Sequence, residues 1–239
     1  MSPLAEVVDR ELRERGTRER AEKEKSYLKS EIDHYGVSVP DTRSVVRAAL
    51  READLGHDDA IDLAGQLWTQ PREKPVYERR LAATMVLIHM QDHLGAGDAD
   101  VIEGFLREAK TWALVDPLAG DLVGPLSEQD SGFDPMLERW AIDADFWIRR
   151  SALLAHLRPL RAGRGDFDRF SRFADAMLEE REFFIRKAIG WVLRDTAKKR
   201  PDLVFDWILL RAHRASGVSL REAVKPLSQS QRDAVLAER

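Results

Sequence analysis

EFFIRKAIGWVLRDTAKKRP, residues 182–201, is the stretch from which the rest of the chain is read. At about 100° per residue, Ile185, Ala188, Ile189 and Val192 form one apolar stripe. Lys187, Trp191, Arg194 and Lys198 gather on another face, within an arc of roughly 60°. The segment therefore predicts a helix with a buried stripe and, beside it, an indole ringed by cations. A solvated face carries lysine and arginine at little cost, but a large ring left among them forgoes its burial. The pattern points to a flat, anionic partner that covers it.

The opening of this helix recurs. VYERRLAA from Val76 and FWIRRSAL from Phe146 lead, like FFIRKAIG from Phe183, from aromatic residues into adjacent basic ones. Tyr77, Trp112, Trp147 and Phe184 stand 35, 35 and 37 residues apart, a period expected of stacked helical hairpins. Helical periodicity runs through nearly every segment. Breaks are expected at Gly36–Pro40, Gly56, Pro71–Pro75, Gly95–Asp98, Pro117–Gly124, Ser131–Asp134, Gly163–Asp166 and Ser216–Ser219. No alternating strand pattern stands out. The expected fold is all-α: an α-solenoid of about six repeats with one concave, helix-lined binding surface. Residues 1–239 form a single domain in this reading, with residues 1–30 as an N-terminal helical cap.

Composition bounds the function. The 239 residues are 44% hydrophobic and 33% charged, enough for a sizeable core. No segment approaches the roughly 18 apolar residues of a membrane helix, and Met-Ser-Pro-Leu followed by charges is not an apolar signal region. The expected compartment is the cytoplasm, and the expected state a monomer. The absence of cysteine excludes disulfides, thiolate zinc sites and a cysteine nucleophile. The net charge of −4 is not that of a generic nucleic-acid binder. Its distribution is uneven: residues 1–145 carry 18 Lys+Arg against 30 Asp+Glu, and residues 146–239 carry 20 against 12. A merely uneven solvated surface would give this, and so would a C-terminal part that faces a polyanion.

Three anomalies fall on consecutive repeats. Phe105, Ala109, Trp112 and Asp116 are expected on one side of a helix, which aims a carboxylate along an apolar stripe; alternatively Asp116 simply ends the helix before Pro117. Arg150 shares a face with Trp147, Leu154 and Leu157, either as a functional cation or as one half of an ion pair between repeats. Trp191 with its cations is the third.

These residues resemble the bacterial AlkD-like alkylpurine DNA glycosylases, DNA alkylation repair proteins built of HEAT-like repeats. The likeness runs from about Tyr27 to about Ala215. EFFIRKAIGWVLRDTAKKRPDLV is similar to the family's signature helix, FWIRRSALLAHL to the preceding one, and LWTQPREKPVYERRLAA to an early Leu-Trp-x-x-Pro pattern. The resemblance implies catalytic roles for Trp112 and Asp116, an active-site arginine at Arg150, a second tryptophan at Trp191, and DNA contact by Tyr27. Lys187, Arg194, Lys198 and Arg158 are expected as further DNA-binding residues. Thr111 and Ala113 depart from the family, which usually shows two adjacent tryptophans followed by an acid.

The implied activity is hydrolysis of the N-glycosidic bond of cationic N3- or N7-alkylated purines in duplex DNA, as in base excision repair, without a base-flipping pocket. A cationic base leaves without protonation, so an ionised Asp116 would stabilise positive charge on the sugar and orient water. The other class of function is a catalytically silent solenoid that binds DNA or a protein partner. No cofactor or metal is implied: His89 and His93 sit at i, i+4, but no zincin glutamate or third ligand accompanies them. Arg164-Gly165-Asp166 reads as a loop, and dinucleotide, P-loop and serine-hydrolase motifs are absent.

Overall fold

The computed structural model describes residues 1–72 and 74–239; Glu73, inside the stretch LWTQPREKPVYERRLAA, lies outside the described residues. The α-helices in chain order begin with α1 (Pro3–Arg15), α2 (Arg18–Leu28), α3 (Val39–Arg51), α4 (His57–Thr69) and α5 (Tyr77–His89). Next come α6 (Ala99–Ala109), α7 (Trp112–Asp116), α8 (Gly124–Gln129), α9 (Asp134–Ala141), α10 (Phe146–Leu154) and α11 (Leu157–Arg161). The series ends with α12 (Phe167–Ala176), α13 (Phe183–Ala197), α14 (Pro201–Leu209), α15 (Gly217–Ala223) and α16 (Gln229–Ala237). The fold is all-α, and among the described residues extended pairing is confined to one bridge, Asp33 to Val76. No described helix is long and apolar enough to cross a membrane.

Several of the helices start where polar side chains satisfy the first open N–H groups. Ser38 accepts from Asp41 N at 3.1 Å, Asp145 from Trp147 N at 2.9 Å, and Ser216 from Ser219 N at 3.1 Å. Glu182 does the same for Phe184 N at 3.1 Å, so the first turn of α13 is set by the residue that precedes its aromatics. The stripe then drives packing: Ile185, Ala188, Ile189 and Val192 are all fully buried. Each such burial is worth on the order of 1.5–3 kcal/mol for the larger aliphatic side chains.

Two compact units are present. The first comprises residues 1–98 and 109–117, the second residues 99–108 and 118–239. In the first, α4 packs on α5, and α1 on α3 and α4, with Ala5, Val8 and Leu12 buried; the N-terminal helix is part of a core. In the second, α13 packs against α10, α11 and α15.

The repeat of about 36 residues is visible in the second unit as a ladder of polar bonds between successive repeats. Arg107 bonds Asp143 across 36 positions, Arg161 bonds Asp195 across 34, Arg164 bonds Glu128 across 36, and Arg169 bonds Asp134 across 35. Arg172 with Glu138 (34 apart) and Arg211 with Asp175 (36 apart) continue it. The charge contrast between the two ends of the sequence therefore does not survive folding. The second unit contains both the acidic stretch 118–145 and the basic C-terminal residues, and carries 22 Lys+Arg against 22 Asp+Glu.

Two expectations about boundaries are corrected. Pro117–Gly124 is not a break: residues Pro117–Val123 form a π-helical segment that continues α7 into α8. Pro117 sits at φ −67° and ψ −37°, a helical geometry the ring already favours. Conversely, Phe105 and Ala109 do not share a helix with Trp112 and Asp116. Lys110 adopts a left-handed conformation (φ 48°) and Thr111 is extended, so α6 stops and α7 starts anew.

Candidate functional site

In the first unit α7 is short but firmly oriented. Thr111 accepts a hydrogen bond from Ala113 N at 3.4 Å, and Leu114 and Val115 are fully buried. With that side fixed, Trp112 and Asp116, one turn apart, are left half-buried together. Tyr27, 73% exposed near the end of α2, meets Trp112 edge to face, with ring centroids 6.1 Å apart and planes at 87°. An aromatic pair held in this geometry at a surface, beside a carboxylate, presents electron-rich ring faces and a negative charge. That combination suits a developing positive charge next to a flat ring system.

In the second unit the helix α13 shows what surrounds Trp191. The indole is half-buried and its Nε1 donates to Asp195 Oδ2 at 3.2 Å. Asp195, 2% exposed, also takes Arg161 at 2.5 Å, Lys198 at 2.6 Å and Arg194 at 3.5 Å. Glu222 on α15 takes Lys187 and Lys225, each at 3.0 Å, and Arg194. Burial alone would raise the Glu222 carboxyl, but its bonds from Lys225 and Lys187 and the charge of Arg194 outweigh this and hold it at about 2. Asp195 is likewise lowered: burial opposes ionisation, and Lys198 and Arg161 override it.

Lys187, Arg194 and Lys198 are therefore not loose charges around an indole. Two buried carboxylates hold five cations, Arg161, Lys187, Arg194, Lys198 and Lys225, and leave a local excess of three positive charges. The arrangement fixes the ammonium and guanidinium groups in place, so less side-chain entropy is lost when an anion docks. Gly190 makes it possible: a Cβ there would stand 2.8 Å from the Glu222 Cβ and 3.1 Å from the Ser219 Cα. Sequence reasoning missed Asp195 and Glu222. The first was legible as the residue one turn after Trp191; the second lies 35 residues beyond Lys187, one repeat along.

Arg150 is 3% exposed, and its guanidinium donates to the Phe184 carbonyl at 2.5 Å while lying 5.8 Å from the centre of the Phe184 ring. Phe184 packs in turn on Trp147 at 4.8 Å. The Arg150 side chain is nearly sealed from solvent and joins α10 to the first turn of α13. Its Phe184 partner in the next repeat is a backbone carbonyl. Arg158, on α11, is exposed and pairs with Asp121 at 2.6 Å. His89 and His93 have no third ligand at hand among the described residues.

The structure thus brings Tyr27, Trp112 and Asp116 together in one unit, and Lys187, Trp191, Arg194 and Lys198 in the other. Residues 8–227 match the family model described as DNA alkylation repair enzyme. The fold is similar to that of a predicted DNA alkylation repair enzyme from Enterococcus faecalis, at 21% identity and TM-score 0.78, over 90% of this chain and 98% of that one. It is also similar to AlkD2 from Streptococcus mutans, at 19% identity and TM-score 0.59, over 87% of this chain and 99% of that one. No curated protein matches the sequence. With a family match that spans nearly the whole chain, the protein belongs to the DNA alkylation repair enzyme family.

Proposed function

We propose that the protein is a DNA glycosylase that releases cationic N3- or N7-alkylated purines from duplex DNA. The observation that carries this reading is the pairing of Asp116 with Trp112, one turn apart and half-buried, beside the exposed Tyr27. Membership of an alkylation repair family supports the substrate class.

A purine alkylated at N3 or N7 already bears a positive charge, so it departs without a general acid. The barrier is the charge that builds on the deoxyribose. Asp116, ionised, lowers that barrier electrostatically and orients the water that adds to the sugar as the base leaves. The rings of Trp112 and Tyr27 turn electron-rich faces to the same charge. In the second unit, Trp191 and the excess positive charge around Asp195 and Glu222 engage the phosphate backbone. Such binding is insensitive to sequence and weakens with salt. Arg150 serves as a positioning residue, holding the start of α13 through the Phe184 carbonyl.

The test is release of 7-methylguanine from duplex DNA. The wild-type protein is expected to release it, and Asp116→Asn to lose at least about 100-fold in rate, the scale for one electrostatic stabiliser. Release unchanged in Asp116→Asn would overturn the role. The flanking residues favour a second reading. Thr111 is buried as the cap of α7 and Ala113 has no polar group, so the second ring and acid usual in the family are missing. If the wild-type protein binds duplex DNA but releases no base, the non-catalytic reading stands.

A further inference from the structure

The helix that carries Tyr27 has no buried residue, yet it is held against the rest of its unit. Its inner side faces the loop 30–37, where Gly36 (φ +81°) comes so close that a Cβ would stand 2.1 Å from the Thr17 carbonyl. Beside this contact lie Glu24 of α2, His34 of the loop and Glu78 of α5. Glu24 pairs with Arg20 through Oε1 at 2.6 Å, while its Oε2 is sealed from solvent without a hydrogen-bond partner. Both ring nitrogens of His34 are sealed and unpartnered as well. Tyr77 stacks on the imidazole at 4.8 Å and 15°, which fixes the plane of the ring.

Glu78 is fully buried. Its Oε1 accepts from Gly36 N at 2.6 Å and Val37 N at 3.1 Å, and its Oε2 from Tyr35 N at 2.9 Å. A carboxylate oxygen has two lone pairs, so Oε2 retains an acceptor site beyond its bond to Tyr35. One ligand atom from each of Glu24, His34 and Glu78 lies within 4.8 Å of the others. A buried polar group left without a partner costs about 1–3 kcal/mol, and here three atoms in one place share that condition.

We propose that Glu24, His34 and Glu78 form a binding site for a divalent transition-metal ion of the zinc class, which staples α2 to the loop 30–37 and to α5. One imidazole with two carboxylates is a donor set for zinc or manganese, whereas calcium and magnesium prefer oxygen alone. A bound cation satisfies both the unpartnered carboxylate oxygen and one imidazole nitrogen, and it offsets the charges of the half-buried Glu24 and the buried Glu78. Glu24 lies three residues before Tyr27 on the same helix, so occupancy sets the position of the tyrosine against Trp112. The site stands apart from the base-release chemistry and does not depend on it.

The test uses untagged full-length protein, stripped with chelator and titrated calorimetrically with Zn²⁺, with bound metal counted by elemental analysis. About one equivalent is expected in the wild type, with a rise in Tm that chelator reverses. His34→Ala and Glu24→Ala are expected to bind at least about tenfold more weakly and to lose the rise in Tm. His89→Ala with His93→Ala is expected to bind as the wild type does. Glu24 lies on a helix without buried residues, so its variant remains informative even if His34→Ala misfolds. Absence of binding in the wild type, or undiminished binding in Glu24→Ala, overturns the proposal.

Discussion

Replacing Glu222 with glutamine tests how the cation cluster is held together. The side chain keeps its size and gives up its charge, and Lys187, Arg194 and Lys225 lose the carboxylate they share. In the folded protein this carboxyl is held at about 2 against an ordinary 4.5. A depressed folded value means that its contribution is complete above the unfolded value and disappears as pH falls through the folded one. A difference of about 2.5 pKa units corresponds to roughly 3 kcal/mol at pH 7. The same relation leaves less than half of that near pH 3 and almost nothing at pH 2. Urea unfolding of both proteins between pH 7 and pH 3 is the assay, with the midpoint read at constant slope. A pH 7 difference below about 0.5 kcal/mol, the scale of an ordinary surface change, would refute the reasoning. So would a difference that stays constant down to pH 3.

Other expectations follow from single contacts. Gly190→Ala places a Cβ 2.8 Å from the Glu222 Cβ, so despite better helix propensity it is expected to destabilise by about 1–3 kcal/mol in urea unfolding. Lys187→Glu with Arg194→Glu is expected to weaken duplex binding and to lower the slope of log K against log salt by at least about 1.8. Unchanged affinity and slope would remove α13 from the interface.

Much of this architecture was legible because it repeats. The stripe Ile185, Ala188, Ile189 and Val192 is buried as its period implies. The aromatics spaced along the sequence mark the first turns of α5, α7, α10 and α13. Boundaries set by backbone geometry were not legible. Nothing in the identity of Lys110 announces a left-handed residue, and Pro117, an ordinary stop signal, sits comfortably inside a π segment. The cations around Trp191 were visible on the helix wheel, but their anchors were not. Glu222 reads as one more surface acid until folding brings it one repeat back, against Lys187. Arg150 was legible as a charge among apolar residues, and which group receives it depends on where the neighbouring helix starts.

The chemistry assigned to Asp116 makes one demand that binding alone does not: the base must leave without being protonated. Single-turnover release from matched duplexes, one with 7-methylguanine and one with neutral hypoxanthine at the same position, measures that demand directly. The account predicts release of the cationic base, lost in Asp116→Asn, and no release of the neutral one. Equal release of both bases, or release of neither, would contradict it.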